Sequence, residues 1–325
     1  RRGEDRPRPR AAAGARVGLV NLPARGRAAG KVILLGEHAV VYGRPALAAG
    51  LGLGLEARVT AGTGPVRLES DRPELRDDPK AARLVAEAAV AVGLAPSDLV
   101  VEVRSELPPG VGLGSSAALS VAVLRALAAA AGRHLVVAEE LSLGRRLEGI
   151  FHEHSSGIDP AAAALGTCFR FVRGEPPALT ALHPAVALPL VIAFGGQPRS
   201  TGAAVGALRA RWEADRGTHE DLFDEVAAVV DAGAAAAERG DLPALGRAFD
   251  QNQALLERLG VSSPGVEALV AVARRHGALG AKLTGGGAGG AVIALAPEPA
   301  RLAAALAAAG AHTLVAHVGG IAEAA

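Results

Sequence analysis

The run Pro108-Pro109-Gly110-Val111-Gly112-Leu113-Gly114-Ser115-Ser116-Ala117-Ala118 sets the tightest limit on what this chain can fold into. Alternating glycines make a loop that leads straight into a helix, and the chain then runs over 115–131 without a helix breaker and with apolar residues on nearly all sides. A helix that is apolar all round belongs inside a core. Ser115 stands where its hydroxyl would cap that helix. Backbone N–H groups of the loop and the positive end of the helix converge on one spot, and such a spot binds phosphate.

Two common nucleotide motifs fail here. A dinucleotide fingerprint would place its third glycine at Ser115, and a P-loop around Gly30-Lys31 would have Gly where Arg25 stands and Ser or Thr where Val32 stands. What remains is a Gly-Xaa-Gly-Xaa-Gly-Ser-Ser turn opening a helix, a nest of N–H donors. Taken alone, such a loop is as readily a plain glycine hairpin. Two further segments change that balance, Gly30-Lys31-Val32-Ile33-Leu34-Leu35-Gly36-Glu37-His38-Ala39-Val40-Val41-Tyr42-Gly43 and Lys282-Leu283-Thr284-Gly285-Gly286-Gly287-Ala288-Gly289-Gly290. In the second, glycine permits positive φ or close approach to a ligand.

A length of 325 residues suits one large or two intimately packed domains, and a hydrophobic share of 50% supplies the interior. The net charge of +1 and the aromatic share of 2% give neither the basic face nor the stacking rings of a nucleic-acid binder. The apolar runs are broken by charge and fall short of the ~20 residues of a membrane span. The single cysteine, Cys168, forms no internal disulfide and fits a reducing cytoplasm. Residues 1–15, Arg-rich and without an apolar stretch behind them, read as a disordered tail rather than a secretory signal.

The pattern predicts strands over 31–35, 52–59 and 99–104, a polar, turn-rich stretch over 66–79, and helices over 80–92, 115–131 and 138–151. Ser155-Ser156-Gly157 turns the chain, and Pro160 favours an extended backbone at Asp159. Glu175-Pro176-Pro177 marks the expected junction, dividing the chain into halves over 16–175 and 176–325. The second half reads as a strand over 187–194, helices over 201–214, 219–239, 242–259 and 265–276, strands over 281–283 and 291–295, a helix over 298–309 and a final strand to Val318. Two mixed halves with a cleft between them make an α+β architecture.

Glu148, late in a helix, and Asp159, past the Ser-Ser-Gly turn, are the candidate chemical carboxylates. Magnesium on nucleotide phosphates takes one or two protein oxygens, and a phosphoryl acceptor takes a separate carboxylate near its hydroxyl. From the residues alone, Glu148 reads equally as a solvated surface acid, Lys31 as the start of a strand, and His38 as a structural histidine beside a turn. His152, four residues after Glu148, reads better as hydrogen-bonded packing than as a metal ligand.

The order and wording of the three segments resemble the small-molecule kinases of the GHMP superfamily, most closely the mevalonate kinases, over roughly residues 29–295. In mevalonate kinases a metal-binding Glu is followed by His-Gly-Xaa-Pro-Ser-Gly-Xaa-Asp; here Glu148 is followed by His152-Glu153-His154-Ser155-Ser156-Gly157-Ile158-Asp159 at the same spacing. Glu153 replaces the usual Gly, Ser155 the usual Pro, and Ala29 the usual Pro before Gly30. Arg199-Ser200-Thr201 and the run Asn252-Gln253 with Leu255-Leu256 also match that family.

The resemblance implies a ribosomal-protein-S5-like N-terminal domain that binds ATP, a ferredoxin-like C-terminal domain, and an active site in the cleft. It implies Asp159 as catalytic base with Lys31 beside it, stabilising charge on the attacking oxygen. ATP phosphates would lie on Pro109, Gly110, Val111, Gly112, Leu113, Gly114, Ser115 and Ser116, with Mg2+ on Ser116 and Glu148. Mevalonate would meet Glu37, His38, Thr201 and Gly286, although Thr201 is equally a helix cap. The implied reaction is transfer of the ATP γ-phosphoryl group to the mevalonate 5-hydroxyl. A homodimer is also implied, although no patch in the sequence marks one. The alternatives are another GHMP kinase, such as a phosphomevalonate kinase using Arg44, Arg199 or Lys282 as extra cations, and a silent nucleotide or metabolite sensor.

Overall fold

The computed structural model describes residues 21–152, 156–195, 201–287 and 290–319. The first half contains β1 (Ala24–Leu35), β2 (Ala46–Pro65), β3 (Arg67–Ser70), α1 (Pro73–Arg76), α2 (Pro79–Ala91) and β4 (Ser97–Ser105), followed by α3 (Ser115–Ala130), α4 (Val137–Glu148), α5 (Ile158–Leu165), β5 (Cys168–Val172) and β6 (Ala178–Ala181). The second contains β7 (Leu188–Phe194), α6 (Thr201–Ala214), α7 (Arg216–Arg239), α8 (Leu242–Arg258), α9 (Pro264–Arg275), β8 (Gly280–Thr284), β9 (Ala291–Leu295), α10 (Pro299–Ala308) and β10 (His312–Val318). One sheet runs β3-β4-β2-β5-β6 with β1 paired to β2, and the other runs β10-β7-β9-β8. The fold is α+β, as expected.

Helix α3 is the predicted buried helix. Twelve of its residues, from Ala117 to Ala130, are buried. It lies on β1, where Gly26 makes backbone contact possible: a Cβ there would meet the Ala122 carbonyl oxygen at 2.3 Å. Its core is continuous with that of the second half, so Leu34, Leu124, Phe223, Phe249 and Ile293 belong to one apolar cluster. A smaller cluster around Ile33, Ile158, Phe169 and Phe171 packs α5 against the sheet.

Two local expectations are corrected. Ser115 does not cap α3: Gly114 holds the cap position in the left-handed region (φ 78°) with no side-chain cap bond. Positive φ at Gly110, Gly112 and Gly114 winds the loop into the helix, which leaves the first-turn N–H groups free of a side-chain acceptor. Asp159 is helical, not extended. Gly157, at φ 87°, starts α5, and Pro160 falls in its first turn, where a missing N–H donor has no partner to lose.

Glu175-Pro176-Pro177 connects β5 to β6, which pair antiparallel within the first sheet. The chain crosses to the second sheet between Ala181 and Leu188.

Candidate active site

Lys31 is aimed by a break in β1. The β1–β2 register shifts between Ala29 and Lys31, and the Lys31 N–H donates instead to the Leu113 carbonyl of the glycine loop at 2.9 Å. Such irregularities re-aim side chains. The Lys31 stem runs beneath Gly114, where an added Cβ would meet its Cγ at 2.6 Å. Its ammonium Nζ ends 2.9 Å from Asp159 Oδ1, with side-chain exposures of 5% and 30%. The amine is thus sequestered while the carboxylate stays partly exposed.

Ser116, in the first turn of α3, has its Oγ 3.2 Å from His152 Nε2. The His152 N–H donates to the Glu148 carbonyl at 3.1 Å, continuing α4 by a turn. The end of α4 therefore lies against the start of α3. Glu148 is buried at 1% exposure. Burial holds the His152 imidazole below the ordinary histidine range, with the Asp159 charge opposing that and Lys80 and Lys31 adding to it. Among the described residues no cluster of three or more His, Cys, Asp and Glu side chains forms a cage. A hydroxyl and one buried carboxylate are hard oxygen donors, the set that Mg2+ takes when nucleotide phosphates and water complete its shell.

Glu37 and His38 sit where β1 leaves the sheet. The Glu37 carboxylate accepts from Lys282 Nζ, and Lys282 also donates to the Leu283 carbonyl at 2.6 Å. Both side chains are fully buried. Burial pushes the Glu37 carboxyl up and the Lys282 amine down, and their contact opposes both shifts. His38 has φ 63° and ψ −52°, and the Ala39 N–H closes back on the Glu37 carbonyl at 2.7 Å. That is a γ-turn with positive φ, a strained conformation held by its surroundings. Burial first, then the charges of Lys282 and Arg211, hold the His38 imidazole down to about 4. Among the described residues, Glu37 Oε2 and His38 Nε2 are buried and have no hydrogen-bond partner.

The second half locks this corner. The Ile33 N–H donates to Thr284 Oγ1 at 3.1 Å, and that hydroxyl donates to the Ile33 carbonyl at 3.0 Å. The Gly36 N–H donates to Asn252 Oδ1 at 3.0 Å, and the Leu283 N–H donates to Gln253 Oε1 at 2.9 Å. Gly286 follows β8 in a turn between Gly285 (φ 78°) and Gly287 (φ 69°). At Gly287 a Cβ would meet the Val261 carbonyl oxygen at 2.2 Å, so this turn passes directly over the end of α8. Thr201 opens α6; its side chain, with Arg199, Ser200, Glu153, His154 and Ser155, lies outside the described residues.

The structure thus gathers the glycine loop, Lys31, Asp159 and the α3–α4 junction, and sets the Glu37–His38 corner just past the end of β1 that follows Lys31. Thr284 and Asn252 were not assigned site roles from sequence, and Lys282 was considered only as an extra cation for a phosphorylated substrate, not as the partner of Glu37. A lysine inside the apolar strand Ala281-Lys282-Leu283 was the available signal, since such a residue needs a buried partner.

The glycine loop entering a buried helix, with a Lys–Asp pair beneath it, defines a small-molecule kinase class. Residues 79–167 match the GHMP kinases N terminal domain and residues 234–313 the GHMP kinases C terminal domain. Curated relatives include the mevalonate kinase of Pyrococcus horikoshii, 34% identical over 82% of this chain and 87% of that protein. That of Aeropyrum pernix is 34% identical over 85% and 89%. The chain belongs to the mevalonate kinase family of the GHMP kinases.

Among solved structures, L. major mevalonate kinase in complex with R-mevalonate superposes with a TM-score of 0.82 at 26% identity, covering 94% of this chain and 98% of that one. The Streptococcus pneumoniae phosphomevalonate kinase has the same fold, with a TM-score of 0.74 at 16% identity over 90% and 98%. The frame alone does not choose the acceptor alcohol.

Proposed function

We propose that this chain is an ATP-dependent mevalonate kinase, transferring the γ-phosphoryl group of ATP to the 5-hydroxyl of mevalonate. The observation that carries the reading is the Lys31–Asp159 contact at 2.9 Å directly beneath the glycine loop, in a chain whose curated relatives are mevalonate kinases. The backbone of Pro109 to Ser116 would cradle the phosphates. Asp159 would accept the hydroxyl proton, and Lys31 would stabilise charge on the attacking oxygen and the transferring group. A carboxylate is too weak to deprotonate an alcohol in advance, so the proton moves late. Ser116 and Glu148 would hold Mg2+, which supplies charge neutralisation on the phosphates. Glu37, His38, Thr201 and Gly286 would surround mevalonate.

A phosphomevalonate acceptor would require additional free cations for its phosphate. Arg44 is bound to Glu220 and Asp224 at 2.6 and 2.8 Å, and Lys282 is committed to Glu37. Both observations favour the unphosphorylated acid.

The test is an ADP-release assay with MgATP against mevalonate, phosphomevalonate, galactose and homoserine. Turnover on mevalonate alone is expected. Preferred turnover on another alcohol would overturn the substrate, and silence on all four would overturn the activity.

A further inference from the structure

Four elements bring the reacting groups together: β1 carries Lys31, α3 carries Ser116, α4 carries Glu148 and α5 carries Asp159. One side chain away from those groups touches all of them. Arg125, on α3, donates from Nη1 to the Arg27 carbonyl of β1 at 2.7 Å. Its Nη2 donates to the Ala164 carbonyl near the end of α5 at 2.6 Å and to Glu140 Oε2 of α4 at 3.1 Å. Its Nε donates to the other Glu140 oxygen. The planar fork of arginine makes this possible, because its donors leave in fixed, divergent directions.

We infer that Arg125 is a positioning residue for phosphoryl transfer, fixing β1, α4 and α5 on α3 so that Lys31, Glu148 and Asp159 meet at the glycine loop. The inference rests on the roles given to those residues under the proposed function. Helix α5 is short: Arg125 holds its C-terminal end, and Asp159 lies five residues away, roughly 7.5 Å along the axis. The same end is seated on β2, where a Cβ at Gly50 would meet Gly166 Cα at 2.4 Å. Glu140 is 8% exposed and bound on both oxygens, so the hub is rigid.

Arg125 also borders a solvent-open cavity of about 290 Å³, lined in addition by Arg27, Ala164 and Gly166. That opening makes chemical rescue feasible, since a free guanidinium ion can reach the space vacated by a shortened side chain.

The experiment compares steady-state kinetics of the wild type, Arg125→Met, Arg125→Lys and Asp159→Asn with MgATP and mevalonate, each with and without low millimolar guanidinium chloride. For folded Arg125→Met, kcat is expected to fall about ten- to a hundred-fold, with KM for both substrates within about three-fold. Guanidinium is expected to restore part of that kcat and none in Asp159→Asn. Arg125→Lys, which cannot serve three acceptors in one plane, should remain at least about five-fold slow; it is the deciding variant if Arg125→Met does not fold. A folded Arg125→Met with kcat within about two-fold of wild type, or a loss borne by KM alone, overturns the positioning role. Wild-type silence on mevalonate instead overturns the proposed function and this inference with it.

Discussion

Gly114→Ala tests whether the glycine loop holds Lys31 in place. Gly114 has φ 78°, where an alanine is strained by about 1–2 kcal/mol. The new Cβ would also lie 2.6 Å from Lys31 Cγ. To regain ordinary contact the lysine stem must retreat by about 1 Å, and a displacement of that size at reacting groups lowers rate by about 10². Lys31 has little room to comply, being 4% exposed and tied through its N–H to Leu113. Gly93→Ala is the control: its φ is 85°, but nothing lies within 4 Å of the added Cβ, so it bears the backbone strain alone. Thermal melts should show Gly93→Ala destabilised by about 1–2 kcal/mol and Gly114→Ala by at least as much. ADP-release kinetics should show kcat reduced about a hundred-fold only in Gly114→Ala. Equal kcat in the two variants would refute the claim that this glycine is required by the lysine beneath it.

Asp159→Asn should lower kcat by roughly 10²–10⁴ with KM for ATP little changed; an unaltered kcat removes Asp159 from the reaction. His38 is held at about 4 when folded against an ordinary 6.5, so the unfolded chain binds the extra proton between those values. Stability is therefore full above pH 6.5 and declines towards pH 4, by about 3 kcal/mol at about 1.4 kcal/mol per pH unit. Urea unfolding at several pH values should show this slope flattened in His38→Asn, a residue that tolerates positive φ; an identical slope in both proteins would exclude His38 as its source. Thr284→Val removes the partner of both the Ile33 N–H and its carbonyl. A buried N–H left unpaired costs about 1–3 kcal/mol, so denaturant unfolding should report a loss of that order. A loss below about 0.5 kcal/mol would mean that Ile33 finds another partner.

Long periodic segments were legible in the sequence, and local overrides were not. The helix at 115–131 was expected, and it appears as α3 because an apolar, breaker-free run has no other stable placement. Helix α6 at Thr201–Ala214 and strand β9 at Ala291–Leu295 match their expected bounds. Asp159 was misread as extended because the rule about the residue before proline is local, whereas Ile158, Ala161 and Ala162 gain burial only if α5 forms. Ser115 was misassigned as a cap because the spacing of hydroxyls does not reveal that Gly114 has turned into positive φ. The Lys31–Asp159 approach was expected from resemblance, and the geometry supplies its cause, a register break that frees the Lys31 N–H for Leu113. Arg125 gave no signal at all. An arginine on an apolar helix is ambiguous until the carbonyls at Arg27 and Ala164 are known to face it.

The two halves meet through polar bonds at a buried seam, and this bears on how the site closes. Ile33 with Thr284, Gly36 with Asn252 and Glu37 with Lys282 each cross from the first half to the second. Opening the halves as rigid bodies would break these hydrogen bonds, each worth about 0.5–1.5 kcal/mol net, and would separate a fully buried carboxylate from its lysine. The apolar cluster is continuous across the same seam, which raises that penalty further. The Glu37–His38 corner is therefore set before substrate arrives. Phosphoryl transfer draws most of its rate from positioning and charge neutralisation, and a seam of this kind supplies the first without any reorganisation during the reaction.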